Sequence, residues 1–451
     1  MGSSAVIVGI MPADLWNPDA ATGLPGGCSG SNFRISDQYL ERGEENGPST
    51  GEPSGTAIPG SRRGGMEMPL SGETVAAILA DDLTGACDAA VHFAVRGLRT
   101  WVAIDPGERF DHPAQVMAYN TETRCSREIH SAERVVQALS VARELRPRLL
   151  MKKIDSTMRG QAGQEIAVML HQLQLLLAIV APAFPGAGRT VRNGHIVVQG
   201  SEQSIDIAAC LPELQSAHVA KQELGTLRER VLEETGKGTR VLIVDAEDDA
   251  DLLRIAHLQQ EGHNVLWAGS GGLAQALAAE YAGDIQPVAR PEGDGPVLVC
   301  VGSAHGVTAA QLQRLCGNAD VMRVSASEAG YAMAQVALRE GRHVVLEFSR
   351  ARIDSAPDRG LGDKVGVRSC GGMVATGGDT AMYVLRSLGA EAIALRAEMQ
   401  PGIPWGEIVG GAANGKPLIT KSGAFGQSEA LLACVDFLNS SAARGQKADV
   451  L

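Results

Sequence analysis

No uninterrupted apolar run in these 451 residues reaches the roughly 18 residues that a membrane-spanning helix needs. The stretch Ala5 to Met11 is too short, and lacks the basic lead, for a secretory signal. Basic charge is also short: 40 Lys and Arg stand against 52 Asp and Glu, a formal net charge of -12. Nucleic acid and anionic membrane surfaces both require a basic field, so they are disfavoured as partners. The eight cysteines are scattered without a CxxC pair, which removes the usual support for zinc or redox work and fits reduced thiols in a cytoplasmic protein. G-x-G-x-x-G in a strand-to-helix setting, H-E-x-x-H and G-x-S-x-G are missing as well, so nicotinamide, zinc-protease and lipase readings lose their signatures. Gly410 to Lys416 resembles the start of a P-loop, but Pro417 stands where a magnesium-binding hydroxyl is required, and the segment reads as a turn.

What is present is the composition of a globular protein, with 44% hydrophobic and 20% charged residues and 54 glycines. The length suits two domains with an appendage. Residues 1 to 70 are rich in Gly, Ser, Pro and acidic residues without periodicity, and are expected to be a disordered extension, with Met66 or Met68 as alternative translation starts. From Glu73 onward, short β-rich runs such as TVAAILA, RLLMKKI and LLLAIVAPAF alternate with longer helical patterns. Strands lacking a polar face and separated by helices indicate an α/β fold of mostly parallel sheets flanked by helices. The Pro-, Gly- and charge-rich stretch DIQPVARPEGDG places a domain boundary near residue 292, giving domains over 72–290 and 295–445 with a site in the cleft between them.

Chemistry concentrates where apolar runs end. Lys152-Lys153-Ile154-Asp155-Ser156-Thr157-Met158-Arg159-Gly160 combines cations for a carboxylate or phosphate, hydroxyls for sugar hydroxyls and a carboxylate for a proton, a mixture suited to a polyhydroxy acid. AAILA runs into Asp81 and Asp82, adjacent carboxylates that call for a compensating cation, metal or proton, or that act as an acidic N-cap pair. The loop Pro185 to His195 carries Arg189, Arg192 and His195 among glycines, as an acid-binding loop or as a solvent loop. Further on, MVAT leads into Gly377-Gly378-Asp379-Thr380 and a helix, an anion cradle or a plain turn. Ser303 ends a similar run, and Lys421 to Gly426 forms another Gly-rich loop. His92 is expected to be a satisfied structural histidine, and Trp405 either stacks on a base or packs in a stiff loop.

In order, ILADDLTGACDAA, KKIDSTMRGQ, PAFPGAGRTVRNGH, WAGSGGLAQALA, VGSAHGVT, ATGGDT, PGIPW and KSGAFG resemble the four-carbon acid sugar kinase family, over roughly residues 73 to 440. The resemblance implies ATP-dependent phosphorylation of the terminal hydroxyl of 3-oxo-tetronate, threonate or erythronate to the 4-phosphate. It places the acid sugar in the amino-terminal domain and the nucleotide in the carboxyl-terminal one. It implies Asp81, Lys153, Ser156, Arg159, Arg189 and His195 on the substrate side, and Ser303, Gly377, Gly378, Asp379, Thr380 and Gly423 at ATP. The family pattern is not kept at Asp379, Ala381 and Ala424, nor across Ala397 to Gln400, all on the nucleotide side.

Phosphoryl transfer requires alignment, charge neutralisation and a group to receive the hydroxyl proton. Asp155 is expected to be that base, with Asp82 as the second candidate and Mg2+ bridging the nucleotide phosphates. The expected partners are the acid sugar and ATP, with a homo-oligomer left open. A non-catalytic sugar-acid-binding protein and a sugar-acid dehydrogenase are the competing readings.

Overall fold

The computed structural model describes residues 73–111, 113–125, 128–261, 264–281, 283–287, 290–291 and 295–439. The extension expected at 1–70 and the alternative starts Met66 and Met68 lie outside these residues. The described residues belong to a single compact unit.

The chain begins with β1 (Ala76–Ala80), α1 (Leu83–Ala94), β2 (Thr100–Ala103), β3 (Val116–Asn120), α2 (Glu128–Glu144) and β4 (Leu149–Lys153). It continues through α3 (Ala162–Gln172), β5 (Ala178–Ala181), β6 (Arg189–Arg192), β7 (His195–Val198), β8 (Ser204–Asp206) and β9 (Ser216–Val219). Then come α4 (Leu227–Gly236), β10 (Val241–Val244), α5 (Asp249–His257), β11 (Leu266–Gly269) and α6 (Gly271–Tyr281). A second series opens with β12 (Val297–Val301), α7 (Gly306–Leu315), β13 (Val321–Ser325), α8 (Glu328–Arg339), β14 (His343–Glu347) and α9 (Arg350–Ile353). It closes with α10 (Leu361–Val365), β15 (Gly372–Thr376), α11 (Gly378–Leu388), β16 (Ala392–Gln400), β17 (Ile403–Val409), β18 (Pro417–Lys421) and α12 (Ala430–Leu438).

The α/β expectation holds, and the two series of strands join edge to edge in one 15-stranded sheet of order β13-β14-β12-β15-β18-β17-β16-β2-β3-β1-β4-β11-β5-β10-β9. Neighbours run parallel except at β18–β17, β17–β16 and β16–β2. Those pairings set the two halves in opposite directions within the sheet, yet the carboxyl ends of β1 and β15 face common space, so the sheet turns between them. Register shifts in β16 between Leu395 and Ala397, and between Glu398 and Gln400, supply local twist at the turn. β6, β7 and β8 form a separate antiparallel sheet.

Each half has a point near its first strand where successive connections diverge. After β1 the chain moves to β2 and β3 on one side, then crosses to β4 on the other; after β12 it lays down β13 and β14, then crosses to β15. A crevice opens where connections diverge at the carboxyl ends of such strands. Strand alternation then sorts side chains by face. Along β12, Leu298 and Cys300 join the main core, while Val297, Val299 and Val301 face a second cluster containing Leu315 and Leu431 of α7 and α12. Among the described residues no helix is long and apolar enough to cross a membrane.

The same alternation separates the two lysines that end β4. Lys152 turns to the α3 face and forms a wholly buried ion pair with Glu165, away from the cavities, while Lys153 faces the crevice. A buried pair broken on one side leaves an uncompensated charge, so Lys152→Met should lose about 3–5 kcal/mol. Lys152→Met/Glu165→Leu should recover most of that in chemical denaturation. A single variant no less stable than the double would show that the pair is not what the site requires.

Candidate active site

Two cavities meet at the carboxyl ends of β1 and β15. The smaller, about 240 Å3, is lined by Lys153, Asp155, Ser156, Arg159 and Arg189. The larger, about 830 Å3, is lined by Ser303, Gly377 to Thr380 and Gly423. Asp82, Thr84, Arg124, Arg159, His305 and Ser422 line both, so the two spaces share a wall.

That wall is organised by a residue the sequence reading passed over, Arg124, which follows β3. Its Nε and Nη2 donate to Asp81 Oδ2 and Oδ1 at 2.8 and 2.7 Å, and its Nη1 lies 2.9 Å from Asp82 Oδ2 and 3.8 Å from Asp155 Oδ2. The cation expected beside Asp81 and Asp82 is therefore this guanidinium. Its signal was available, because an arginine four residues beyond the largely apolar strand VMAYN lies near the carboxyl edge of a parallel sheet. Asp82 is also the N-cap of α1: Oδ1 accepts from Gly85 N at 2.8 Å, and Oδ2 accepts from Thr84 Oγ1 at 2.6 Å. Both readings of the acidic pair, charge-compensated and N-capping, are met together.

Asp155 is held tightly. Arg159 donates to it through Nε and Nη2 at 3.0 and 2.6 Å, and Thr157 donates through its N–H and hydroxyl. Burial pushes the Asp155 carboxyl upward, but the Arg159 hydrogen bonds and the Arg124 charge outweigh it and hold the group well below the usual carboxylate range. Arg189 crosses to the other half of the chain, its guanidinium carbon 5.4 Å from the Phe425 ring centroid. Lys153 lies 3.6 Å from Asp88 Oδ2 and donates to Ile154 O. The structure does not bring His195 to either cavity: it sits in the β6–β7 hairpin, with Nδ1 2.8 Å from Asn193 O.

The larger cavity is built from helix starts. Gly377 precedes α11 at φ 96°, where a side chain is strained, and a Cβ on Gly378 would stand 2.8 Å from Asp82 Oδ2. The first turns of α1, α7 and α11 all contribute to its lining, and exposed N–H groups with aligned peptide dipoles favour an anion there. Asp379 pairs with Arg350 at 2.5 Å. The loop from Ser422 to Phe425 is fixed from below by Lys421, whose Nζ donates to Ser422 O and Phe425 O; burial pushes this ammonium down to about 8. Trp405 belongs to β17 and packs on Phe437, with ring centroids 5.8 Å apart, so its packing role is the one observed. Cys87, Cys300, Cys370 and Cys434 are buried free thiols, whereas Cys125, beside Arg124, is exposed.

A carboxyl held below its ordinary range stabilises the fold above that range, and the contribution fades as pH falls through it. The stability gap between the wild type and Asp155→Asn should therefore be widest near neutrality and narrow below about pH 4. Urea midpoints at neutral and acid pH check this, and a gap independent of pH would contradict it.

Two families match in the order of these cavities. One, described as a sugar-binding N-terminal domain, matches residues 76–207 and 207–277, and the other, a nucleotide-binding C-terminal domain, matches 298–431. The D-threonate kinase of Cupriavidus necator is 34% identical over 405 residues, covering 78% of this chain and 95% of that protein. The D-erythronate kinase of Heliobacterium modesticaldum is 30% identical over 443 residues, covering 80% and 96%. A solved structure described as a putative tRNA synthase from Salmonella typhimurium LT2 shares the fold, with a TM-score of 0.66 at 19% identity over 80% of this chain and 99% of its own. With both domains matched over most of its described length, the chain belongs to the four-carbon acid sugar kinase family.

Proposed function

We propose that this protein transfers the γ-phosphoryl group of ATP to the terminal hydroxyl of a four-carbon acid sugar, giving the 4-phosphate and ADP. The observation that carries the reading is the shared wall: a small cation-lined cavity and a larger one built from helix starts meet at Asp82, Arg124 and Arg159. In this reading the first half of the chain, 72–290, holds the acid through Lys153, Ser156, Arg159 and Arg189. The second half, 295–445, holds the nucleotide through Ser303, Gly377 to Thr380 and Gly423. His195 has no part in it.

The hydroxyl oxygen attacks the γ-phosphorus, the bond to the β-γ bridging oxygen breaks, and the hydroxyl proton leaves to a carboxylate. Asp155 is poorly suited to that proton, because a carboxylate held this low is a weak base; its better role is to fix Arg159 for the acid group or the moving charge. Asp82 stands in the shared wall and takes over as receiving group. Asp379 of the larger cavity would help to hold magnesium, which is commonly bound by one or two carboxylates with phosphate oxygens and water, leaving Asp82 free for the proton.

A coupled ADP assay over D-threonate, D-erythronate and 3-oxo-tetronate should show turnover with at least one, and none with neutral four-carbon polyols. Turnover with no acid in the panel would overturn the reading. Asp82→Asn should lower kcat by about 100-fold or more, as expected for loss of a general base. Asp155→Asn should act more on KM, and the reverse pattern would return the proton to Asp155.

A further inference from the structure

Beneath the smaller cavity lies a second group of side chains that this transfer does not use. Asp88 and His92 are four residues apart on α1, which places them on one face of the helix, a turn apart. Glu398 of β16 faces them from the other half of the chain, and one potential ligand atom from each of the three lies within 4.8 Å of the other two. Asp88 is only 6% exposed and His92 5%. Among the described residues Asp88 Oδ1 and His92 Nε2 have no hydrogen-bond partner, contrary to the expectation that His92 is satisfied. Buried polar atoms are nearly always paired, so two orphans in one place call for a missing partner.

The surrounding groups narrow its chemistry. Lys153 engages the other Asp88 oxygen at 3.6 Å, and the Phe184 and His92 rings meet in a T-shaped contact at a centroid distance of 6.5 Å. Glu398 accepts the Gly402 N–H through Oε1 at 2.5 Å. Two carboxylates and an imidazole in a desolvated space are unfavourable as they stand. Burial pushes His92 down to about 3 and Glu398 up to about 7, and it also raises Asp88. A cation reverses that penalty, because the ligating forms are the ionised carboxylates and the neutral imidazole.

We propose that Asp88, His92 and Glu398 bind one divalent transition-metal ion, distinct from the magnesium that accompanies a nucleotide. The pair at i and i+4 forms a two-ligand clip on α1, and Glu398 completes a mixed nitrogen and oxygen set suited to Zn2+, Mn2+ or Co2+. Asp88 lines the smaller cavity, which provides an entry path and leaves coordination positions for water or for an oxygen of a bound acid. The ion ties α1 to β16 and hence the two halves of the sheet. This site does not depend on the kinase reading and stands or falls separately.

The test uses the full chain stripped with a chelator and kept free of nucleotide. Titration with Zn2+ by calorimetry, and with Co2+ by visible absorption, should give one tight site per chain. Glu398→Gln and His92→Asn should each weaken it by about tenfold or more. Circular dichroism and Tm of the metal-free variants report whether they fold; should His92→Asn fail, the more peripheral Glu398→Gln carries the comparison. No stoichiometric ion, an ion bound only together with ATP, or affinity unchanged in the folded variants would each overturn the proposal, leaving a trapped water as the partner of the orphaned atoms.

Discussion

Arg124 stands among three carboxylates that would repel one another without it, and the shared wall of the cavities depends on that one guanidinium. Asp81 and Asp82 leave the end of β1, Asp155 leaves β4, and Arg124 leaves β3. Because β1 lies between β3 and β4 with parallel register, those three strand ends are neighbours, and the charges of three loops close on one centre. Backbone ties reinforce it, since the N–H groups of Thr123 and Arg124 both donate to Asp81 O. A two-pronged donor fixed by a buried carboxylate has little freedom left, so it presents its remaining edge in one orientation.

The cations of the smaller cavity stand among the carboxylates Asp82, Asp88 and Asp155, in a chain that is acidic overall. A formal net charge of -12 describes the surface at large, while Arg124, Lys153, Arg159 and Arg189 crowd the smaller cavity. In the larger cavity the first turns of α1, α7 and α11 add exposed N–H groups that favour an anion. In the proposed function, one half recognises an anion with side chains and the other with backbone. The two meet only because the sheet turns through its antiparallel strands β16 and β17.

Several of these features were readable in advance. Apolar strands without a polar face predict a parallel sheet, and polar clusters at their carboxyl ends predict where a crevice forms. The adjacent aspartates announced the need for a cation, but which cation answered it depended on strand order, and Arg124 is 42 residues or more away in sequence from both. Lys152 could have been separated from Lys153 by strand alternation alone, since consecutive residues point to opposite faces. His195 was harder: its loop looked like a crevice loop, yet a local hairpin carries it off the main sheet. The cluster of Asp88, His92 and Glu398 joins residues more than 300 positions apart, and no local pattern reports such a pairing.

What the sequence alone determined was the type of chemistry and its approximate addresses: an α/β chain, cations and hydroxyls at strand ends in one half, glycine-rich helix starts in the other, and an ordered set of motifs specific enough to indicate a family. These are properties of short segments, set by side-chain type, period and turn chemistry. Only the tertiary structure decided which segments meet: Arg124 with three carboxylates, Asp155 with its basicity suppressed, Lys152 withdrawn into the core, and both halves on a single turning sheet. Strand order and sheet curvature follow from packing across hundreds of residues, and through them proximity is set, on which charge, basicity and burial depend.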